Sequence, residues 1–252
     1  MRITWIGHST VLIEQDGVRL LTDPVLRPRL LHLRRTGPVD SNSLRAPDAV
    51  VVSHAHYDHL DVPSLRELGR SFPLVVPLGA GHMLRRRGFE QVTELAEDEE
   101  TRVGTLVIRA THAEHASRRG LFGADAPALG YLVSGSARVY FAGDTDLFEG
   151  MSSLAPDLDV ALLPVAGWGS RLPPGHLDPR RAAEALRLLR PRVAVPIHWG
   201  TYRRIGLSRD PAALREPADS FARLAAELAP EVKVSVLPVG GVLEVTSQGR
   251  SR

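Results

Sequence analysis

Residues 50–61 read VVVSHAHYDHLD. Together with Ala49, Val50, Val51 and Val52 form an uninterrupted apolar run, the pattern of a strand covered on both faces. Where the run stops, His54, His56, Asp58 and His59 fall within six positions. Neighbouring histidines are poor core material, because each buried imidazole needs hydrogen-bond partners. Imidazole and carboxylate are good donors to borderline divalent cations, and the end of a buried strand holds them rigidly. His54 and His56 alternate, so both can face one way from an extended segment, while Asp58 and His59 lie beyond the bend. One short loop can thus serve two cations.

Partners for such a loop occur at other predicted strand ends. RATHAEHASRR (109–119) carries His112 and His115 after an apolar run. VYFAGDTD (139–146) ends a strand in Gly143-Asp144, and VAVPIHWGTY (193–202) ends one at His198. Each polar side chain follows an apolar segment, where it emerges at the rim of a sheet.

Around these points the pattern alternates strands and helices. RITWIG (2–7), TVLIE (10–14) and VRLLTD (18–23) read as strands, the last two joined by a turn at Asp16-Gly17. DAVVVS (48–53) is followed by a helix over 63–70, a strand PLVVP (73–77) and a helix near 82–87. Strands then fit 105–112, 128–134, 137–144, 159–165, 192–198, 233–239 and 241–247, with helices over 179–190 and 217–229. Asp178-Pro179 supplies a cap and a first-turn proline. Ala182, Ala183, Leu186, Leu188 and Leu189 supply an apolar face. This order predicts an α/β fold: two mixed β-sheets with helices outside, in one domain spanning 1–252. The stretch 24–46, rich in proline and arginine, reads as the longest irregular segment, either mobile or covering a site.

The chain has no cysteine among its 252 residues, which excludes disulfides, thiolate metal sites and cysteine nucleophiles. Neither a secretory signal nor an apolar run long enough to cross a bilayer is visible, so a cytoplasmic protein is expected. The pI near 9.4 accompanies a net charge of only +2, with Lys233 the sole lysine among 31 basic residues. Arginine stays charged to very high pH and raises the pI without a strong field at neutrality. A nucleic-acid partner is therefore not expected.

The motif His54-Ala55-His56-Tyr57-Asp58-His59 resembles the HxHxDH signature of the metallo-β-lactamase fold superfamily, and His115, Asp144 and His198 follow in that superfamily's order. The resemblance covers nearly the whole chain. WIGHSTVLIE (5–14), LLTDP (20–24) and PIHWGT (196–201) are similar to the branch with the ascorbate-phosphate lactonase and N-acyl phosphatidylethanolamine phospholipase D types. It implies a four-layer αββα sandwich holding two divalent metal ions, zinc first, with manganese or iron also compatible. His54, His56 and His115 would hold one ion, Asp58, His59 and His198 the other, and Asp144 would bridge. His115 aligns as the third histidine, leaving His112 as a nearby or solvated one.

The expected chemistry is hydrolysis by a hydroxide shared between two metals. Asp58 would also orient the nucleophile and accept a proton. In GWGSRLPPGHLDP (167–179), His176 can protonate a leaving group or merely cap the next helix. His8, Asp23, His112, Arg118, Trp168 and Trp199 are candidates for substrate contact or for supporting the ligands. For Asp23, hydrogen bonding to the histidine loop competes with a catalytic role, and Tyr202 can wall the pocket or pack in the core. Gly143 reads as structural, permitting a tight turn at Asp144.

The substrate class expected is a small molecule, possibly phosphorylated, with an ester, lactone or phosphodiester bond. The alternatives are a non-catalytic metal-binding or sensing protein, and a phosphodiesterase acting on nucleic acid or phospholipid. Leu30, Leu31 and Leu33 among arginines are the only surface suggestive of lipid, so membrane association is not expected. A homo-oligomer is allowed but not required.

Overall fold

In the computed structural model, which describes residues 1–44, 46–116, 126–167, 172–206 and 210–246, the first half begins with β1 (Arg2–Gly7), β2 (Thr10–Gln15) and β3 (Val18–Thr22). Two short strands, β4 (Arg29–Leu30) and β5 (Leu33–Arg35), precede β6 (Ala49–Val51). Then come α1 (Val62–Leu68), β7 (Leu74–Pro77), α2 (Gly81–Arg85) and β8 (Val92–Leu95). The second half holds β9 (Glu100–Val103), β10 (Leu106–His112), β11 (Leu129–Ser134), β12 (Arg138–Phe141) and β13 (Val160–Pro164). It continues with α3 (Pro179–Leu189), β14 (Val193–Ile197), β15 (Tyr202–Arg204), α4 (Pro211–Leu228), β16 (Lys233–Val234) and β17 (Val242–Glu244).

These strands form two large mixed sheets. The first has the order β17-β1-β2-β3-β6-β7-β8, antiparallel through β3 and parallel from β3 to β8. The second runs β16-β14-β13-β12-β11-β10-β9, parallel from β16 to β12 and antiparallel from there to β9. Period-two alternation sorts the side chains into layers. Val51 and Val75 join Ile13, Leu20, Ile108 and Val133 between the sheets, whereas Val50, Val52, Leu74 and Val76 pack with Leu65 and Leu84 under α1 and α2. On the far side Ala182, Ala183 and Leu186 of α3 and Phe221 of α4 complete the core. The valine run at 50–52 is therefore covered on both faces, and the layers follow the order helix, sheet, sheet, helix.

Proline and aspartate set the starts of α1, α3 and α4. Asp61, Asp178 and Asp210 each accept an amide hydrogen bond within the first turn, from Ser64, Arg181 and Ala212, and each helix has proline in its first positions. The last helix begins at Pro211, not near Pro217, because the Asp-Pro signal lies at 210–211 and Pro217 sits inside the helix. On α3, Leu188 is 38% exposed, and Ala185 takes its place on the buried face.

The segment 24–46 is not the irregular loop expected from composition. β4 and β5 form a hairpin whose tip, Leu31, takes a left-handed φ of 50°, and β5 pairs with β15 into a three-stranded sheet. Val25, Leu30, Leu33 and Tyr202 pack together beneath it. Leu30 and Leu33 are thus buried, leaving Leu31 alone of the suggested surface patch. No helix among the described residues is long and apolar enough to cross a membrane.

Candidate metal centre

The ends of β1, β6, β10, β12 and β14 all deliver a side chain to one rim of the sandwich. His54 and His56 follow β6 directly. His54 Nε2 lies 3.0 Å from His56 Nδ1, and His115 Nε2 lies 3.2 Å from the same atom. These spacings approach the edge of a tetrahedron, about 3.3 Å for metal–nitrogen bonds of about 2.0–2.1 Å. The rotation of each ring is set from behind. His115 Nδ1 bonds the Gly175 carbonyl at 2.7 Å, and His54 Nδ1 meets Ser53 Oγ at 3.0 Å, so both turn Nε2 inward.

A second group comprises His8, Asp58, His59 and His198, with donor atoms all within 4.8 Å of one another. Asp58 Oδ2 lies 3.3 Å from His8 Nε2 and 3.8 Å from both His59 Nε2 and His198 Nε2. Asp144 stands between the groups: its oxygens lie 3.3 Å from His59 Nε2 and 3.4 Å from His198 Nε2, and it forms a further cluster with His115 and His176. His198 Nδ1 bonds the Ala166 carbonyl at 2.8 Å, leaving Nε2 for the centre.

Asp23 organises this arrangement without entering it. Its Oδ1 accepts the Ser53 amide at 2.7 Å, and its Oδ2 accepts both the Ser53 hydroxyl and His59 Nδ1–H, the latter at 2.6 Å. It is fully buried. A carboxylate on Nδ1 fixes the tautomer and makes Nε2 a better donor. His8, Asp23 and His198 all have positive φ, at 54°, 31° and 64°. Non-glycine residues of that kind are uncommon, and three at one rim show a backbone held by its surroundings. Gly143 also has φ 60°, and a Cβ there would come within 2.5 Å of Ser53 Cβ, so its turn requires glycine.

The electrostatics divide the histidines into two kinds. Burial pushes His8 down to about 3, reinforced by His198, and pushes His115 down to about 4. Burial likewise lowers His54 well below its ordinary range and lowers His56. For His59 and His198 burial also opposes charge, but Asp144, then Asp58, outweigh it and raise both. Asp58 and Asp144 are opposed by burial too, yet the imidazoles, His59 first for Asp58 and His198 first for Asp144, hold both carboxyls well below the usual range. The cluster thus sets two anionic carboxylates among inward-turned imidazoles, of which burial favours the neutral form at His8, His54, His56 and His115, and His59 Nε2 and Asp144 Oδ1 are buried without a hydrogen bond. That donor set fits divalent cations.

The structure brings together His8, His54, His56, Asp58, His59, His115, Asp144, His176 and His198. His176 Nε2 lies 3.6 Å from Asp144, its ring edge-on to His115. His112 turns away and meets Glu97 at 3.0 Å and Glu114 at 3.4 Å; burial opposes its charge, but the two carboxylates together outweigh it and raise it. Trp199 also stays out of the cluster, stacking on Trp5 with ring centroids 4.7 Å apart. Tyr202 is buried, edge-on to His8. Arg118 and Trp168 lie outside the described residues. The sequence reading passed over Ser53, Thr201 and Arg35. The first links Asp23 to His54, the second accepts the His8 amide at 2.6 Å, and the third lies over Tyr202. Only Ser53 carried a signal, by immediately preceding the histidine motif.

Residues 18–199 match the family described as the beta-lactamase superfamily domain. A UPF0173 metal-dependent hydrolase of Methanopyrus kandleri is 34% identical over 95% of this chain and 98% of its own length. An N-acyl-phosphatidylethanolamine-hydrolyzing phospholipase D of Caenorhabditis elegans is 32% identical over 79% of this chain and 64% of its own. Among solved structures, the metallo hydrolase Igni18 of Ignicoccus hospitalis superposes with a TM-score of 0.73 at 27% identity, covering 97% of this chain and 99% of the other. On the family match, the relatives and the two-sheet architecture, the chain belongs to the metallo-β-lactamase fold metallohydrolase superfamily.

Proposed function

We propose that this chain is a binuclear metal-dependent hydrolase acting on an ester, lactone or phosphodiester bond of a small substrate, phosphorylated or not. The observation that carries the reading is the double donor set: His54, His56 and His115 on one side, Asp58, His59 and His198 on the other, with Asp144 between them. Two bound divalent ions, zinc by donor chemistry with manganese and iron also compatible, would supply Lewis acidity and make hydroxide available near neutral pH.

The protein's own groups do the positioning. Asp23 holds His59 through Nδ1, and the Gly175 and Ala166 carbonyls do the same for His115 and His198. Asp58, ionised and beside His8, orients the attacking water and accepts its proton. His176, anchored through Nδ1 to the Pro173 carbonyl at 3.1 Å, presents Nε2 toward Asp144 and donates a proton to the departing oxygen. Names of relatives support this chemistry class: one is a metal-dependent hydrolase and another an N-acyl-phosphatidylethanolamine-hydrolyzing phospholipase D. We further place the whole chain in a single catalytic domain.

The test is elemental analysis of protein purified without chelator, followed by hydrolysis of bis(p-nitrophenyl) phosphate and p-nitrophenyl acetate. About two ions per chain are expected, with Asp58→Ala lowering kcat/KM on the order of 10²-fold or more. Turnover by Asp58→Ala at the wild-type rate would overturn the role of Asp58. Failure to bind any ion on titration would overturn the mechanism.

A further inference from the structure

His8 stands among the metal donors without belonging to the set proposed to hold the two ions. It is 1% exposed, and its Nε2 lies 3.3 Å from Asp58 Oδ2, nearer than the His59 and His198 nitrogens at 3.8 Å. Its ring is closed in on several sides. The His198 ring centroid lies 4.0 Å away and that of His59 5.2 Å, while Tyr202 meets it edge-on at 5.9 Å. The imidazole is therefore held in one orientation, with Nε2 toward Asp58.

The backbone beneath the ring is fixed by segments far along the chain. The His8 amide donates to Thr201 Oγ1 at 2.6 Å, and its carbonyl accepts the His198 amide and the Trp5 indole N–H, both at 2.9 Å. Gly7, with φ 123°, lets this turn press against the end of β14: a Cβ there would lie 2.7 Å from Thr201 Cγ2. The φ of 54° at His8 is thus imposed by its surroundings. Asparagine accepts such a φ as readily as histidine, so the backbone alone does not call for an imidazole.

Four of the proposed donors have a group behind them that sets their direction. Ser53 does this for His54, Asp23 for His59, the Gly175 carbonyl for His115 and the Ala166 carbonyl for His198. On the side of Asp58, His59, Asp144 and His198, the Asp58 side chain is the most exposed, at 18% against 4% or less for the others. Resting on the binuclear reading above, we propose that His8 is a positioning residue acting through Asp58. Its Nε2–H donates to Oδ2 and fixes the rotation of the carboxylate, and so the oxygen that Asp58 offers to an ion. A carboxylate opposite Nε2 requires the hydrogen on that nitrogen. Asp58, Asp144, His59 and His198 already supply the four donors that a zinc site takes, so His8 acts on a ligand and is not one itself. Hydrogen bonds of this outer kind orient carboxylate ligands as they orient imidazoles.

The test is zinc titration of chelator-stripped protein against a chromophoric chelator, with circular dichroism and thermal midpoints of the metal-free variants reporting on folding. His8→Asn suits the backbone but carries an amide too short to reach Asp58. His8→Gln restores a donor near the place of Nε2 on a less favourable backbone. His8→Asn should weaken one ion about 10–100-fold and leave the other unchanged, while His8→Gln stays within about threefold of wild type. The reverse order or an equal loss in both variants would make His8 a backbone element and overturn the proposal. If His8→Gln does not fold, a double-mutant cycle decides. Added to Asp58→Ala, with Asp144, His59 and His198 still in place, His8→Asn should cost less than about twofold further. A further loss as large as in the wild-type background overturns the proposal. Wild-type protein that takes up no zinc overturns the binuclear reading itself; two ions in wild type and undiminished affinity in His8→Asn overturn this role alone.

Discussion

Asp23 and His59 illustrate how one hydrogen bond decides a donor's direction. The Asp23 carboxylate accepts His59 Nδ1–H at 2.6 Å, so His59 Nε2 is left facing Asp144. In Asp23→Asn one accepting oxygen becomes an uncharged NH2 donor facing the donors it should accept from, and metal affinity should fall about 10–100-fold. A competition titration against a chelating dye measures it; undiminished affinity in a folded variant would refute this positioning role. The pair His112 and His115 gives a sharper contrast, since two histidines only three positions apart have opposite surroundings. His115→Ala should lose an ion from the His54–His56 side, whereas His112→Gln should retain full metal content, because its ring is turned to Glu97 and Glu114. Loss of metal in His112→Gln, read by elemental analysis, would reverse that distinction. The sequence offered both histidines, and the motif resemblance favoured His115; the turn of each ring could not be read from the residues.

At the scale of elements, aspartate followed by proline leaves a local chemical mark, which located the start of α3 but was passed over at Asp210-Pro211, so that α4 begins earlier than expected. Asp178 accepts the Arg181 amide at 2.8 Å, so Asp178→Ala should destabilise the protein by about 1 kcal/mol, within a range of about 0.5–2. Urea unfolding reads this directly, and a midpoint unmoved in the variant would show that α3 does not depend on its cap. The apolar strands β1–β3, β6, β7 and β10–β14 were legible from their runs and alternation. Short β4, β5, β8, β9 and β15 were not. VTEL and ETRV place charges in edge strands, and β4, β5 and β15 are arginine-rich, so no local apolar period exists to read. For β5 and β15 the pairing that stabilises them joins segments far apart in the chain.

The molecule gathers its buried, shifted histidines and aspartates at one rim, and this sets an expected pH response for metal-free protein. Below the ordinary histidine value of 6.5, an unfolded chain takes up protons on His8, His54, His56 and His115 that the folded chain refuses, so stability falls as pH falls. Above 6.5, the folded chain keeps protons on His59 and His198 that the unfolded chain has released, so stability falls as pH rises through their raised values. Asp58 and Asp144, lowered from 3.8, add stability that is constant over this window and is lost only in stronger acid. Chelated protein should therefore be most stable near pH 6.5, and added zinc should remove the alkaline decline by replacing the protons with cations. Urea midpoints between about pH 5 and about pH 9 test it; a steady rise with pH in chelated protein would contradict the assignment.

The sequence by itself determined the alternation that builds two mixed sheets, the capped helices, and the set of histidines and aspartates at strand ends. Those features are local: they depend on apolar period, turn chemistry and the position of a polar residue after an apolar run. Only the tertiary structure decided that His8 joins Asp58 and His198, that Trp199 stacks away from the centre on Trp5, and that Arg35 is buried against the Val25 and Ile6 carbonyls. Each of these depends on segments up to roughly two hundred residues apart meeting at one rim, as the His8 amide meets Thr201. A side chain's direction there is set by backbone register and by neighbours from other strands, neither of which a linear pattern encodes.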